Sequence, residues 1–168
     1  RFDGTPVPPI LSLEIAQKGG IDETRTIYCG SFSKTLAPGL RVGWVVANSA
    51  VIRKLVLMKQ AADLHSSTIN QMAIAHVATR GFDAQVAKIK AAYSARRDAM
   101  LAALSRYMPE GTSWTKPEGG MFIWITLPDG ADGADLLAKA IVQEKIAFVP
   151  GKAFYADGSG ANHIRLSF

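Results

Sequence analysis

Read for periodicity alone, the chain changes character three times. Residues 1–9, RFDGTPVPP, are polar and proline-rich and predict an irregular segment. ILSLEIAQKGG follows, a short apolar turn or strand that Gly19-Gly20 terminates. Residues 26–29, TIYC, join β-branched to aromatic side chains ahead of Gly30 and predict a buried strand. VGWVVA, residues 42–47, predicts a second one. The stretch between them is too long for a tight hairpin, and connections of that length commonly carry function.

From Ser49 onward the apolar positions step by threes and fours. Val51, Leu55 and Met58 fall on one helix face, and Ile69, Met72, Ala73, His76 and Val77 on another. The SST at 66–68 offers an N-cap to the second helix, and Gly81 is expected to end it. A longer helix is predicted over 83–107, stopped by Pro109. Its apolar side carries Val86, Ile89, Tyr93, Met100 and Leu104, and its polar faces carry Lys88, Lys90, Arg96 and Arg97. TSWTK and MFIWITLP then predict strands, separated by Pro117-Glu118-Gly119-Gly120. A short amphipathic helix is expected over 136–144, capped by Asp132, and IAFVP and HIRLSF predict further strands. This order predicts an α/β fold of two units joined by the long helix, with the boundary near 80–90.

Composition narrows the picture only a little. Of 168 residues, 48% are apolar and 20% charged, as in a globular protein with a real core. The chain opens on Arg1 and reads as a piece of something longer. The longest apolar runs fall far short of the ~18–20 residues a membrane helix needs, so no membrane role is expected. Cys29 is the only cysteine, which excludes an intrachain disulfide and points to a reducing, cytoplasmic compartment. Its place in TIYC predicts a buried, packed thiol. His65, His76 and His163 are scattered without ligand spacing, so no metal site is expected. The net charge of +5 fits a solvated surface or an anionic small-molecule ligand. The basic residues form no dense run of the kind that binds nucleic acid.

The chemistry concentrates in SFSKTLAPGLRVGW, residues 31–44. Lys34 sits among Ser31, Ser33 and Thr35 in a loop after a strand, where α/β sheets commonly bind ligands. Pro38-Gly39 allows a sharp turn that brings Arg41 back towards the same space. Two cations and several hydroxyls suit a phosphate, and an amine beside a fixed cation suits nucleophilic work. The same residues also fit a plain surface loop with a solvated Lys and an Arg paired to a carboxylate. Arg165, taken by itself near the end of the sequence, reads as a surface charge on an edge strand.

SFSKTLAPGLRVGW closely resembles the lysine motif of fold-type-I, pyridoxal-phosphate-dependent aminotransferases of class I/II. KPEGGMFIWITLP and FVPGKAFYADGSGANHIRLSF resemble two further segments of the same family, and the likeness covers most of the chain. The resemblance implies that Lys34 forms the Schiff base with pyridoxal 5′-phosphate. It implies that Ser31 and Arg41 bind the cofactor phosphate, with Ser33 a lesser candidate, and that Arg165 clamps the substrate α-carboxylate. It further implies a homodimer acting on an amino acid and a 2-oxo acid. Residues 1–85 would be the C-terminal part of the large cofactor-binding domain, and 86–168 the small C-terminal α+β domain.

The flavour of TLAPGLR with GGMFIW is that of the aminoadipate, kynurenine and aromatic aminotransferases. The catalytic domains of MocR-type transcription regulators share it, and only there would nucleic acid be a partner. Family members are about twice this length or more. The segments that hold the glycine-rich phosphate turn, the ring-stacking aromatic and the aspartate for the ring nitrogen lie outside these residues. Among the remaining aromatics, Tyr28 and Tyr155 are expected to be packed, and Trp44 and Trp124 to lie in the core. His65 sits in a loop-like DLHSST and is a minor candidate for the site.

Overall fold

The computed structural model describes residues 1–168, which fall into two compact units. One is Thr5–Ile89; the other combines Lys90–Phe168 with Arg1–Gly4.

In the first unit, residues 10–18 form a helix, α1 (Ile10–Lys18), and not the expected turn or strand. Leu11, Leu13 and Ile15 alternate as in a strand, but what this segment packs against decides its form. Leu11 is buried, and Glu14 on the adjoining turn accepts hydrogen bonds from the Arg25 and Thr26 amides at 3.0 and 2.9 Å. Gly19, at φ 82°, adopts the left-handed conformation and donates its N–H to the Ile15 carbonyl, so the stop falls where the glycine pair predicts it. Strands β1 (Tyr28–Ser31) and β2 (Gly43–Val46) pair antiparallel, with Gly30 opposite Trp44 and Ser31 opposite Gly43.

Neither strand is buried as expected. Cys29 is exposed, and Trp44 is 38% exposed. A two-stranded ribbon has no further strands of its unit to cover it, so β-branched and aromatic content overstates burial here. Trp44 instead packs on Tyr28, ring centroids 5.1 Å apart, and covers Gly30 so closely that no Cβ fits there.

Helix α2 (Ser49–Ala62) is capped by Asn48, whose side-chain oxygen accepts from the Val51 N–H at 2.9 Å. The Asn48 amide nitrogen donates to the Thr24 carbonyl at 2.8 Å, and the Asp22 carboxylate accepts from the Ser49 N–H at 2.7 Å. Helix α3 (Thr68–Tyr107) is a single run of 40 residues, contrary to the expected stop at Gly81. Gly81 has no positive φ, so it makes no left-handed cap. The helix absorbs the roughly 1 kcal/mol that an interior glycine costs. Ser67 caps its start as expected, its hydroxyl accepting from the Asn70 N–H at 3.4 Å. Residues 68–89 of α3 belong to the first unit and 90–107 to the second.

The second unit is built on an antiparallel four-stranded sheet in the order β3 (Ser113–Trp114), β4 (Phe122–Thr126), β6 (His163–Ser167), β5 (Val149–Pro150). In β4 and β6 successive side chains point to opposite faces. Ile123, Ile125 and Ile164 point into the core, where they meet Leu104 and Leu127, with Met100, Leu101 and Phe148 packed around them. Phe122, Trp124, His163 and Arg165 share the other face, so Trp124 is half-buried and outside the core cluster, contrary to expectation. Helix α4 (Gly133–Gln143) is capped by Asp132, as the sequence suggests, with amides of Ala134 and Asp135 donating to its carboxylate. Arg1–Gly4 adhere to this unit. Phe2 N–H donates to the Glu118 carbonyl at 2.6 Å, and the buried Arg97 guanidinium bonds Asp3, Asp98 and the Pro117 carbonyl.

Candidate functional site

Most of SFSKTLAPGLRVGW lies in the connection between β1 and β2, and the backbone there is tied down at several points. Phe32 N–H donates to the Val42 carbonyl at 3.2 Å, extending the Ser31–Gly43 pairing one step into the connection. The amides of Thr35, Leu36 and Ala37 all turn onto the Phe32 carbonyl, at 3.3, 2.9 and 3.2 Å. Pro38–Leu40 makes a short 3-10 turn, and Asn70 on α3 donates its side-chain amide to the Leu40 carbonyl at 3.0 Å. Leu36, Ala37 and Leu40 face Ala73, Ile74 and Val77 of α3 across an apolar recess of about 180 Å³. The loop's apolar residues therefore turn to the helix, while its polar residues stay open.

Lys34 lies just beyond the Ser31 end of this connection and Arg41 just before the Gly43 end, so both lie on one loop. Both are exposed, and neither takes part in any ion pair of the chain. Arg41 makes one long hydrogen bond, Nη1 to the Pro38 carbonyl at 3.4 Å. The Ser31 hydroxyl donates to Ser33 Oγ at 2.9 Å and accepts from the Ser33 N–H at 3.1 Å, which ties the two serines to each other. Arg41 has φ 52° and ψ 40°, a left-handed backbone that an arginine adopts only against a steric cost. Four sequence candidates thus fall together in the first unit, Ser31 at the end of β1 and Ser33, Lys34 and Arg41 in the connection that follows it.

Arg165 lies in the second unit. It occupies β6, an interior strand of the sheet and not an edge, opposite Trp124 on one side and Val149 on the other. It is half-buried, joins no ion pair, and its Nε is buried without a hydrogen-bond partner. The guanidinium carbon sits 4.0 Å from the Phe122 ring centroid and 4.8 Å from that of Phe154. Sequence reasoning missed these two rings. The alternation of MFIWITLP places Phe122 on the Trp124 face, but nothing in the sequence brings Phe154 there. It also missed Asn70, and it placed Arg97 on a polar helix face. Hydrogen bonds that the Arg97 guanidinium donates to the Asp3 and Asp98 carboxylates favour its charged form and raise its pKa.

Among the minor candidates, His65 is exposed and its Nδ1 contacts only the Ser66 carbonyl at 2.8 Å. Tyr155 packs against Trp124 and His163, with ring centroids 6.3 and 5.5 Å apart. No cluster of His, Cys, Asp or Glu is arranged to hold a metal ion. No helix is long and apolar enough to cross a membrane.

Known proteins share this architecture. The solved structure of LysN, the alpha-aminoadipate aminotransferase of Thermus thermophilus complexed with N-(5′-phosphopyridoxyl)-L-leucine, matches with a TM-score of 0.91 at 40% identity. The match covers 99% of this chain and 41% of that one. The fold is that of the fold-type-I, pyridoxal-phosphate-dependent aminotransferases. The family model for aminotransferase class I and II matches residues 11–168, and the chain belongs to that family. Aromatic-amino-acid aminotransferase 1 of Thermococcus litoralis is 46% identical over 169 residues, 100% of this chain and 39% of its own length. The HTH-type transcriptional regulator NorG of Staphylococcus aureus is 33% identical over 99% of this chain and 36% of its own. The chain thus spans about two fifths of the length of the curated relatives it matches.

Proposed function

We propose that this chain is part of an enzyme that moves an amino group between an L-amino acid and a 2-oxo acid, with pyridoxal 5′-phosphate as cofactor. The observation that carries this reading is the β1–β2 connection, which holds Lys34 and Arg41 without a carboxylate partner, together with two serines tied to each other. These residues fit the group. A phosphate monoester needs a cation and hydroxyl or amide donors that no internal partner has already taken. Ser31 and Arg41 would hold the phosphate, with Ser33 supporting them, and Lys34 would hold the aldehyde end covalently. When bound, the cofactor supplies an electron sink next to the substrate α-carbon.

The chain's own residues then divide the work. Lys34 Nζ, as a free amine, would take the proton from the substrate α-carbon as general base and give it up on the cofactor side, at C4′, as general acid. Arg165 receives the α-carboxylate in its planar fork by two parallel hydrogen bonds, a geometry a lysine does not reproduce. Its lack of any internal carboxylate partner supports that role. We assign residues 1–85 to the large cofactor-binding domain and 86–168 to the small domain, except that Arg1–Gly4 pack with the unit of Lys90–Phe168, and read the whole protein as a cytoplasmic homodimer.

A second reading is favoured by the likeness to NorG: the same fold as the effector-sensing part of a MocR-type transcription regulator, preceded by a winged-helix segment. One experiment addresses both. The full-length protein is mixed with pyridoxal 5′-phosphate, its visible spectrum recorded, and the adduct reduced with borohydride and mapped by peptide mass. A visible band and a label on Lys34, both absent in Lys34→Ala, are expected. No band, or a label on other lysines alone, would refute the cofactor assignment. Turnover of amino acid with 2-oxo acid by the unreduced, cofactor-loaded protein supports the enzyme; cofactor binding without turnover, coupled to DNA binding, supports the regulator.

A further inference from the structure

Arg165 is held in an unusual way for a surface-facing guanidinium. One strand step places it opposite Trp124, which leaves Phe122 diagonally across the β4–β6 ladder on the same face. Phe154, at the end of the 3-10 turn Gly151–Phe154, brings a second ring to it. Both rings lie within 5 Å of the guanidinium carbon, measured to their centroids, at 4.0 and 4.8 Å. Phe154 is itself fixed, edge-on against Trp124 at 5.4 Å and 80°. With no carboxylate paired to it and Nε buried without an acceptor, the guanidinium keeps its hydrogen-bonding capacity uncommitted.

We propose that Phe122 and Phe154 are positioning residues: they hold the Arg165 guanidinium in place so that its fork meets a carboxylate, and they shield it from water. The inference rests on the reading of Arg165 as the carboxylate-binding residue. Aromatic rings attract a cation by their quadrupole and restrict it without competing for its N–H groups. A flexible side chain held this way loses less freedom when a ligand binds, and a shielded charge pair is stronger than a hydrated one. The ligand class that benefits carries a planar carboxylate. A ligand without one gains nothing from the two rings.

The test uses the full-length, cofactor-loaded protein and two amines of the same side chain, L-leucine and 3-methylbutylamine, which lacks the carboxylate. The cofactor absorbance reports half-saturation and the limiting rate for each. Phe154→Leu and Phe122→Leu are expected to raise half-saturation for L-leucine about tenfold with little change in limiting rate. Values for 3-methylbutylamine should not move, and Phe154→Tyr should restore the L-leucine value. In cofactor-free protein, ring currents should shift the Arg165 Nε–H resonance, and each leucine variant should reduce that shift. Equal effects on both amines, or none on either, would overturn the proposal. Arg165→Lys separates the two layers. If it leaves L-leucine binding intact, the carboxylate role of Arg165 fails. If it abolishes binding while the phenylalanine variants do not weaken it, only the positioning role falls. Should Phe154→Leu fail to fold, Phe122→Leu with Phe154→Tyr decides.

Discussion

Truncating Ile125 to alanine tests the two-faced sheet that presents Arg165. Ile125 is fully buried, at 0% exposure, among Ile123, Ile164, Leu104 and Leu127. The change removes three carbon groups, and at about 0.8 kcal/mol each the lost transfer energy is about 2.4 kcal/mol. The neighbours sit on paired strands and a long helix and relax only in part, so a cavity term brings the cost to about 3–4 kcal/mol. Thr126, one step along the same strand, points to the other face, and Thr126→Ala should cost about 1 kcal/mol or less. Hydrogen–deuterium exchange read by mass spectrometry on peptides spanning 122–127 and 163–167 measures the difference within this sheet. Where exchange follows opening, 3–4 kcal/mol accelerates these amides by roughly several hundredfold. If Ile125→Ala accelerated them less than about tenfold, or no more than Thr126→Ala, the assignment of faces would be wrong.

Two further outcomes follow from the first unit. Asn48→Ala removes both the cap on Val51 and the donor to the Thr24 carbonyl, and should lower stability by about 1–2 kcal/mol in thermal unfolding, with Asn48→Ser recovering the capping part. Glu14 has its pKa lowered chiefly by the Thr26 hydroxyl, with the Arg25 and Thr26 amides adding to it. A depressed folded value contributes stability above the ordinary 4.5 and loses it as pH falls through the lowered one. Melting temperature should therefore drop more steeply below pH 4.5 in the unmutated protein than in Glu14→Gln; parallel curves would refute the role.

Where period and local chemistry agree, the sequence was a good guide. The β-branched and aromatic runs MFIWITLP and HIRLSF predict β4 and β6, and Asp132 and the SST at 66–68 cap the helices they precede. The candidate loop was legible because Lys34 and Arg41 belong to one connection between strands, so their proximity along the backbone needs no tertiary information. Long-range partners were not legible. Glu14 meets Arg25 and Thr26 only once Ile10–Lys18 is helical, and Arg97 becomes buried through Asp3, 94 positions away in sequence. Gly81 misled because glycine ends a helix only by taking up a left-handed backbone, which it does not do here. Trp44 and Cys29 misled for the opposite reason, since strand-forming residues show pairing but not what covers the pair.

Arg41 occupies a backbone conformation in which glycine would be more comfortable by about 1 kcal/mol. Selection for heat tolerance alone therefore has an easy path at this position, towards a residue with no charge to offer. A laboratory lineage evolved only for resistance to unfolding should fix Arg41→Gly early, becoming sturdier and losing, in the same step, the charge proposed to hold the cofactor phosphate.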